Sequence, residues 1–118
     1  MKVLLVEDHQ GLAEATRRVL SEIYQHEVEH AATGRDALDS ASRFAPDLIL
    51  IDLNLPDIDG FDLAARLRGE TRFDQTILVA LTGVGNAASE RRVEESGFDA
   101  FYVKPMDFEL LESLSRKR

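Results

Sequence analysis

Four apolar runs in this 118-residue chain each end in a residue able to do polar chemistry. Asp47-Leu48-Ile49-Leu50-Ile51 closes on Asp52, and Val3-Leu4-Leu5-Val6 closes on the acidic pair Glu7-Asp8. Ile77-Leu78-Val79-Ala80-Leu81 closes on Thr82, and Phe101-Tyr102-Val103 closes on Lys104. If these runs are strands of one parallel sheet, three carboxylates, a hydroxyl and an ammonium converge along one sheet edge. Packed carboxylates repel and raise at least one pKa unless a cation neutralises them. Mg²⁺ suits such a set, because it takes hard oxygen ligands from one or two carboxylates, waters and phosphate. Glu7, Asp8 and Asp52 would supply the acids, and a main-chain carbonyl just past Asp52 could complete the shell. Phosphoryl transfer needs an in-line nucleophile and charge neutralisation on the equatorial oxygens. Asp52 is the best nucleophile here, since a carboxylate can form an acyl phosphate. Lys104 offers a mobile point charge and Thr82 a hydroxyl donor for phosphoryl oxygens.

Something must bring these residues together. Apolar runs of strand length alternate with segments of helical period, the pattern of a parallel α/β sheet. Strands are predicted at about 2–7, 27–31, 47–52, 76–81 and 100–104. The second, Glu27-Val28-Glu29-His30-Ala31, largely alternates and reads as an edge strand with one wet face. The third and fourth are apolar throughout, as strands covered on both sides should be. Five helices follow. The first places Leu12, Thr16, Val19, Leu20 and Ile23 on one stripe. The second begins at a variant capping box, Thr33-Gly34-Arg35-Asp36, and turns Ala37, Leu38, Ala41 and Phe44 inward. The third follows Asp59-Gly60 with Phe61, Ala64 and Leu67. The fourth spans roughly Asn86 to Ser96 and stops at Gly97. The fifth starts at Asp107 and buries Leu110, Leu111 and Leu114. Five βα units with short connections make a single domain, residues 1–118. In doubly wound sheets, ligands bind outside the carboxyl ends of the strands, where all five candidate residues lie. Asp47 sits at the opposite end of its strand and is assigned to the turn after Pro46.

Individually each signal is weak. Asp52 alone reads as a turn acid, Glu7-Asp8 as a helix cap, Thr82 as a strand or turn residue, Lys104 as a surface lysine and Phe101 as a core aromatic. Together and in order they are specific, and the chain resembles a response-regulator receiver domain over essentially its whole length. The resemblance rests on Glu7-Asp8, on the run Asp52-Leu53-Asn54-Leu55-Pro56-Asp57-Ile58-Asp59-Gly60, on Leu81-Thr82-Gly83 and on Lys104-Pro105.

The resemblance implies an α/β fold with a five-stranded parallel sheet, doubly wound, in flavodoxin-like strand order 2-1-3-4-5 with helices on both faces. It implies that Asp52 becomes a 4-aspartylphosphate, taking phosphate from a phosphohistidine on a histidine kinase or phosphotransfer protein. Mg²⁺ would be held by Glu7 through water, by Asp8 and Asp52, and by the Asn54 carbonyl. Thr82 and Phe101 would be the switch pair, the hydroxyl moving to the phosphoryl group and the aromatic turning inward. The surface of the fourth helix, fifth strand and fifth helix would then change its partners, either a downstream protein or an output domain. A phosphorylation-dependent homodimer through that face would follow the family's habit. The domain would act as a switch, assisting its own phosphotransfer and slow acyl-phosphate hydrolysis and not turning over a substrate. In the family, Lys-Pro is commonly cis, and acyl-phosphate lifetime follows the positions occupied here by Asn54 and Val84. Departures are mild: Glu7 replaces a common aspartate, and Thr76 a common proline.

Composition narrows the alternatives. A formal charge of −8 disfavours direct nucleic-acid or anionic-membrane binding, and an apolar fraction of 44% argues against disorder. There is no cysteine, which removes thiol chemistry and is compatible with a reducing cytoplasm. No run is long enough to span a bilayer, and the apolar start is too short for a secretory segment. His9, His26 and His30 lack metal-ligand spacing and read as surface or loop residues. An EF-hand over 52–63 fails, with Asp57 where glycine is needed and Leu63 where glutamate should close the shell. An aspartate-nucleophile phosphatase of the haloacid dehalogenase type wants a second acid at Asn54. A flavodoxin-like FMN carrier wants a phosphate loop where Glu7-Asp8-His9 stands. Neither a P-loop nor a dinucleotide glycine fingerprint is present. A scaffold without phosphorylation would have little use for the complete acceptor set. The basic end Arg116-Lys117-Arg118 suits a helix C-terminus.

Overall fold

The computed structural model describes residues 1–83 and 87–116. Five parallel strands, β1 (Lys2–Val6), β2 (Glu27–Ala31), β3 (Leu48–Asp52), β4 (Ile77–Thr82) and β5 (Ala100–Val103), form one sheet in the order β2-β1-β3-β4-β5. All sit within one residue of the predicted spans. Every residue of β3 and β4 is buried, whereas β2 at the edge is largely half-exposed. That accounts for the unbroken apolar runs in the one case and the alternation in the other.

The helices are α1 (Gln10–Arg18), α2 (Gly34–Phe44), α3 (Gly60–Arg68), α4 (Ala87–Glu95) and α5 (Phe108–Arg116). Strand alternation sends Leu4, Val6, Ile49, Ile51, Leu78 and Ala80 to one face, against Ala37 and Ala41 of α2, Leu63, Ala64 and Leu67 of α3, and Val93 of α4. Val3, Leu5, Leu48, Leu50, Ile77 and Val79 point the other way, against Ala13 and Leu20 of the α1 region and Leu111 of α5. The sheet is thus wound on both faces, as expected. The order in which strands are added reverses between β1 and β3, so the crevice at their carboxyl ends is the topological switch point.

Local signals behave as their chemistry dictates. Thr33 caps α2 by accepting the Asp36 N–H at 3.1 Å, and Asp59 caps α3 by accepting the Phe61 N–H at 2.8 Å. Asp107 accepts the Glu109 N–H at 2.9 Å and so precedes α5, not opens it. Gly97 ends the α4 segment at φ 97°, a conformation that favours glycine. Asp47 accepts the Lys2 N–H at 2.7 Å, far from the carboxyl edge.

Two helical faces differ from expectation. Leu12 is 39% and Ile23 67% exposed, while Ala13 and Leu20 carry the buried face of the first helical segment. A π-helical turn over Val19–Ile23 follows α1, and its extra residue per turn rotates Ile23 outward. In α5, Leu111 is buried but Leu110 is 52% exposed. Asn86 and Val84 lie outside the described residues, as do Lys117 and Arg118.

Candidate functional site

Sheet register explains how residues far apart in the chain meet. Val6 pairs with Ile51, so Glu7 leaves β1 at the level where Asp52 ends β3. Asp52 in turn pairs with Leu81, placing Thr82 one step further along β4. Thr82 pairs with Val103, and the Lys104 N–H donates to the Thr82 carbonyl at 2.7 Å. From there the lysine side chain reaches back across the sheet edge. Its ammonium lies 2.8 Å from Glu7 Oε1 and 3.0 Å from Asp52 Oδ2.

The carboxylates are almost dry: Glu7 is 2% and Asp52 4% exposed. Asp8 stands at the solvent edge, and one oxygen from each of Glu7, Asp8 and Asp52 lies within 4.8 Å of the others. Asp52 Oδ1 accepts the Asn54 N–H at 2.9 Å, so the loop beyond the strand anchors the second oxygen. Burial pushes the Glu7 carboxyl up to about 7, and contact with Asp52 adds to the rise while Lys104 opposes it. Burial acts upward on Asp52 as well, but hydrogen bonds from Glu7, the Asn54 N–H and Lys104 hold it below the usual range. Partial burial works against the Lys104 charge, yet its two carboxylate partners raise its pKa. Burial thus favours the neutral form of Glu7, while its donors favour the charged form of Asp52.

Glu7 Oε2 is buried and has no hydrogen-bond partner. A buried carboxylate oxygen left in this way is costly to desolvate. A divalent cation, or a water bound to one, would satisfy it, so the residues present fit a hard metal. The donor set is all oxygen, which suits Mg²⁺ over softer ions.

Two glycines keep the loop after Asp52 closed. A Cβ on Gly60 would lie 2.8 Å from Leu53 Cα and 3.1 Å from the Asp52 carbonyl oxygen. A Cβ on Gly34 would lie 1.9 Å from the Ile58 side chain, where Asp57 accepts both the Gly34 and Arg35 N–H groups at 2.8 and 3.0 Å. The loop carrying Leu53 to Asp59 is thereby pinned to α2 on one side and to α3 on the other.

Comparison with known proteins decides the family. The sequence model of the response regulator receiver domain matches residues 3–116. This chain is a response regulator receiver domain. It is 31% identical over 116 residues to response regulator Rre1 of Synechocystis sp., covering 98% of this chain and 50% of that protein. It is 31% identical over 104 residues to the polar-differentiation response regulator DivK of Brucella ovis, covering 88% of this chain and 84% of that protein. The structure of the chemotaxis response regulator CheY4 of Vibrio cholerae superposes with a TM-score of 0.87 at 31% identity, over 98% of this chain and 96% of that one. The chain thus spans about half the length of Rre1 and most of DivK. Receiver domains take phosphoryl groups from kinases and act on downstream targets, and this one has the acidic pocket for a metal. Among the described residues, no helix is long and apolar enough to cross a membrane.

The structure brings Glu7, Asp8, Asp52 and Lys104 together as the sequence suggested. Thr82 is buried at the end of β4, next to the Lys104 main chain. Phe101 is half-buried and packs on the α2–α3–α4 side of the core. Asn54 is exposed, with its N–H on Asp52. The Lys104-Pro105 bond is cis. Sequence reasoning overlooked three supports: the Asn54 N–H, the Asp57 clamp, and His30, whose Nε2 lies 2.7 Å from the Glu7 carbonyl. None of these has a spacing signature, because each works through a main-chain group.

Proposed function

We propose that Asp52 is the phosphoacceptor of a two-component phosphorelay. The observation that carries this reading is the nearly dry Asp52 carboxylate held 3.0 Å from the Lys104 ammonium beside Glu7 and Asp8. An Asp52 oxygen attacks the phosphorus of a phosphohistidine on a histidine kinase or phosphotransfer protein. The new P–O bond forms as the P–N bond breaks, and the imidazole leaves with its electron pair. Asp8 and Asp52, with the Asn54 carbonyl and Glu7 through water, are the groups that would hold Mg²⁺. When bound, this ion neutralises charge on the phosphoryl oxygens. Lys104 exchanges its Asp52 partner for a phosphoryl oxygen, and the Thr82 hydroxyl donates to another. Burial of Glu7 and Asp52 excludes bulk water and strengthens these contacts.

The product adds negative charge and acceptor oxygens to a bistable element. Thr82 moving toward the phosphoryl group opens space that Phe101, already half-buried, turns to fill. The α4–β5–α5 surface then favours a different partner, be it a downstream protein, an attached output domain or a second copy of the chain. Slow hydrolysis of the acyl phosphate resets the switch. On this reading the domain works in the cytoplasm, where a histidine-kinase donor would meet it.

Incubation with a small phosphodonor and Mg²⁺, followed by intact-mass spectrometry, tests the assignment. One added phosphoryl group is expected, lost in Asp52→Ala and in a chelated sample. Label on another residue, or labelling indifferent to Mg²⁺, would overturn it.

A further inference from the structure

We propose that His30 is a positioning residue for the metal-binding acids, its ring holding the Glu7 carbonyl and hence the peptide that carries Asp8. This rests on the reading of Glu7, Asp8 and Asp52 as a metal site. His30 lies on the edge strand β2, opposite Leu5, with Ala31 opposite Val6. The ladder continues one bond beyond β1, the Glu7 N–H donating to the Ala31 carbonyl at 3.0 Å. In a continuing parallel ladder the next bond would run to the Glu7 carbonyl from the Thr33 N–H. The chain turns away there, with Thr33 serving as the N-cap of α2. The imidazole of His30 takes the vacated place, its Nε2 2.7 Å from the Glu7 oxygen. A carbonyl only accepts, so Nε2 carries the hydrogen.

The consequence falls mainly on Asp8. Glu7 has Lys104 to orient its side chain. Asp8 is exposed, and its carboxylate makes no hydrogen bond or ion pair among the described residues. Its direction is set by the backbone alone, and the Glu7-Asp8 peptide is the unit that His30 fixes. Groups that orient ligands from behind typically change metal affinity by about 10- to 100-fold.

Titration calorimetry of the metal-free protein with Mg²⁺ tests this, using wild type, His30→Phe, His30→Gln and Asp8→Asn. Phenylalanine keeps ring volume and strand propensity but donates nothing, whereas glutamine restores an N–H donor. The expected result is roughly tenfold weaker binding in His30→Phe and recovery to within about threefold of wild type in His30→Gln. The Asp8 amide resonance of the metal-free protein is expected to move in His30→Phe and return in His30→Gln, a change that a general loss of stability would not produce. Wild-type affinity in His30→Phe, or equal losses in both His30 variants, overturns the proposal while leaving the metal site intact. If wild type and Asp8→Asn bind Mg²⁺ equally, the metal reading itself falls, and His30 with it.

Discussion

Replacing Lys104 with methionine keeps most of the side chain's length and removes the ammonium that faces both Glu7 and Asp52. At the observed 2.8 and 3.0 Å, each ion pair has a Coulomb attraction of about 5–6 kcal/mol at an effective dielectric of about 20. Much of that is offset by desolvation, and the lysine side chain remains 26% exposed, so solvent screening lowers the net further. Breaking a fully buried pair costs about 3–5 kcal/mol; here about 3 kcal/mol is expected where both acids are ionised. The loss must depend on pH. Glu7 titrates at about 7 in the folded protein, above its ordinary 4.5. Its ionisation therefore opposes folding: the folded state holds the proton longer, and stability from this group falls as pH rises between those values. Lys104 is one of the influences lowering the Glu7 pKa, so its removal raises the folded value and extends the window upward. Below the folded value Glu7 is already neutral in the native state of both proteins, its pair with Lys104 is gone, and most of the mutational loss disappears. Chemical denaturation with a chelator at about pH 8 and about pH 5 should give losses near 3 and 1 kcal/mol respectively. Saturating Mg²⁺ should shrink the loss at the higher pH, since it binds only the folded site and supplies the missing charge. A loss that is the same at both pH values and insensitive to Mg²⁺ would refute the picture of Lys104 as the counter-charge of a carboxylate pair.

Other perturbations address the same site from different sides. Mg²⁺ affinity should rise with pH through about 7, with up to one proton released per ion from Glu7; calorimetry in buffers of different ionisation enthalpy measures this, and Glu7→Gln should flatten it. Gly60→Ala should destabilise by about 1–3 kcal/mol, since its Cβ meets Leu53 Cα at 2.8 Å. Gly83→Ala, whose Cβ meets nothing within 4 Å, should leave the thermal midpoint nearly unchanged. Asp57→Ala should lower stability by freeing the Gly34 and Arg35 N–H groups. Those same hydrogen bonds hold the Asp57 pKa below its ordinary 3.8. Its contribution is therefore complete above that value and lost as pH falls through the folded one, and thermal melts at neutral and strongly acidic pH should show the mutational difference fade.

Legibility in the sequence followed the range of the interaction. β3 and β4 were plain because a strand covered on both faces must be apolar throughout, and Asp52 and Thr82 stood out because they end such runs. The cap at Thr33 was readable, because donor and acceptor lie within three residues. The outward turn of Ile23 was not readable, because the π turn over Val19–Ile23 leaves no mark in a 3.6-residue period. Leu110 and Leu111 differ by one residue in a leucine-rich helix, and only tertiary packing chooses which is buried. Arg68 is the extreme case: it donates to the Phe73 and Gly97 carbonyls and pairs with Asp99, a staple between α3 and the turn before β5 with no local pattern. The histidines look alike in sequence, yet His9 accepts the Leu12 N–H, His26 pairs with Glu112 on α5, and His30 holds Glu7.

The charge balance of the pocket ties these details to its chemistry. Three carboxylates facing one ammonium leave a deficit of two positive charges when all are ionised, the charge of a divalent metal. Without the metal, part of that deficit is relieved by the proton on Glu7, which is why burial and Asp52 together raise its pKa instead of forcing the pocket open. Lys104 cannot relieve the rest, because its ammonium already serves two acids. Transfer of a phosphoryl group to Asp52 would replace a monoanion by a dianion and offer new oxygens to the same ammonium. The electrostatic reason for Lys104 to stay between Glu7 and Asp52 would then weaken. Its main chain is bonded to the Thr82 carbonyl, so a change in the lysine is transmitted to the ends of β4 and β5 through a direct contact. The same ammonium that stabilises the resting pocket is thereby placed to report its modification.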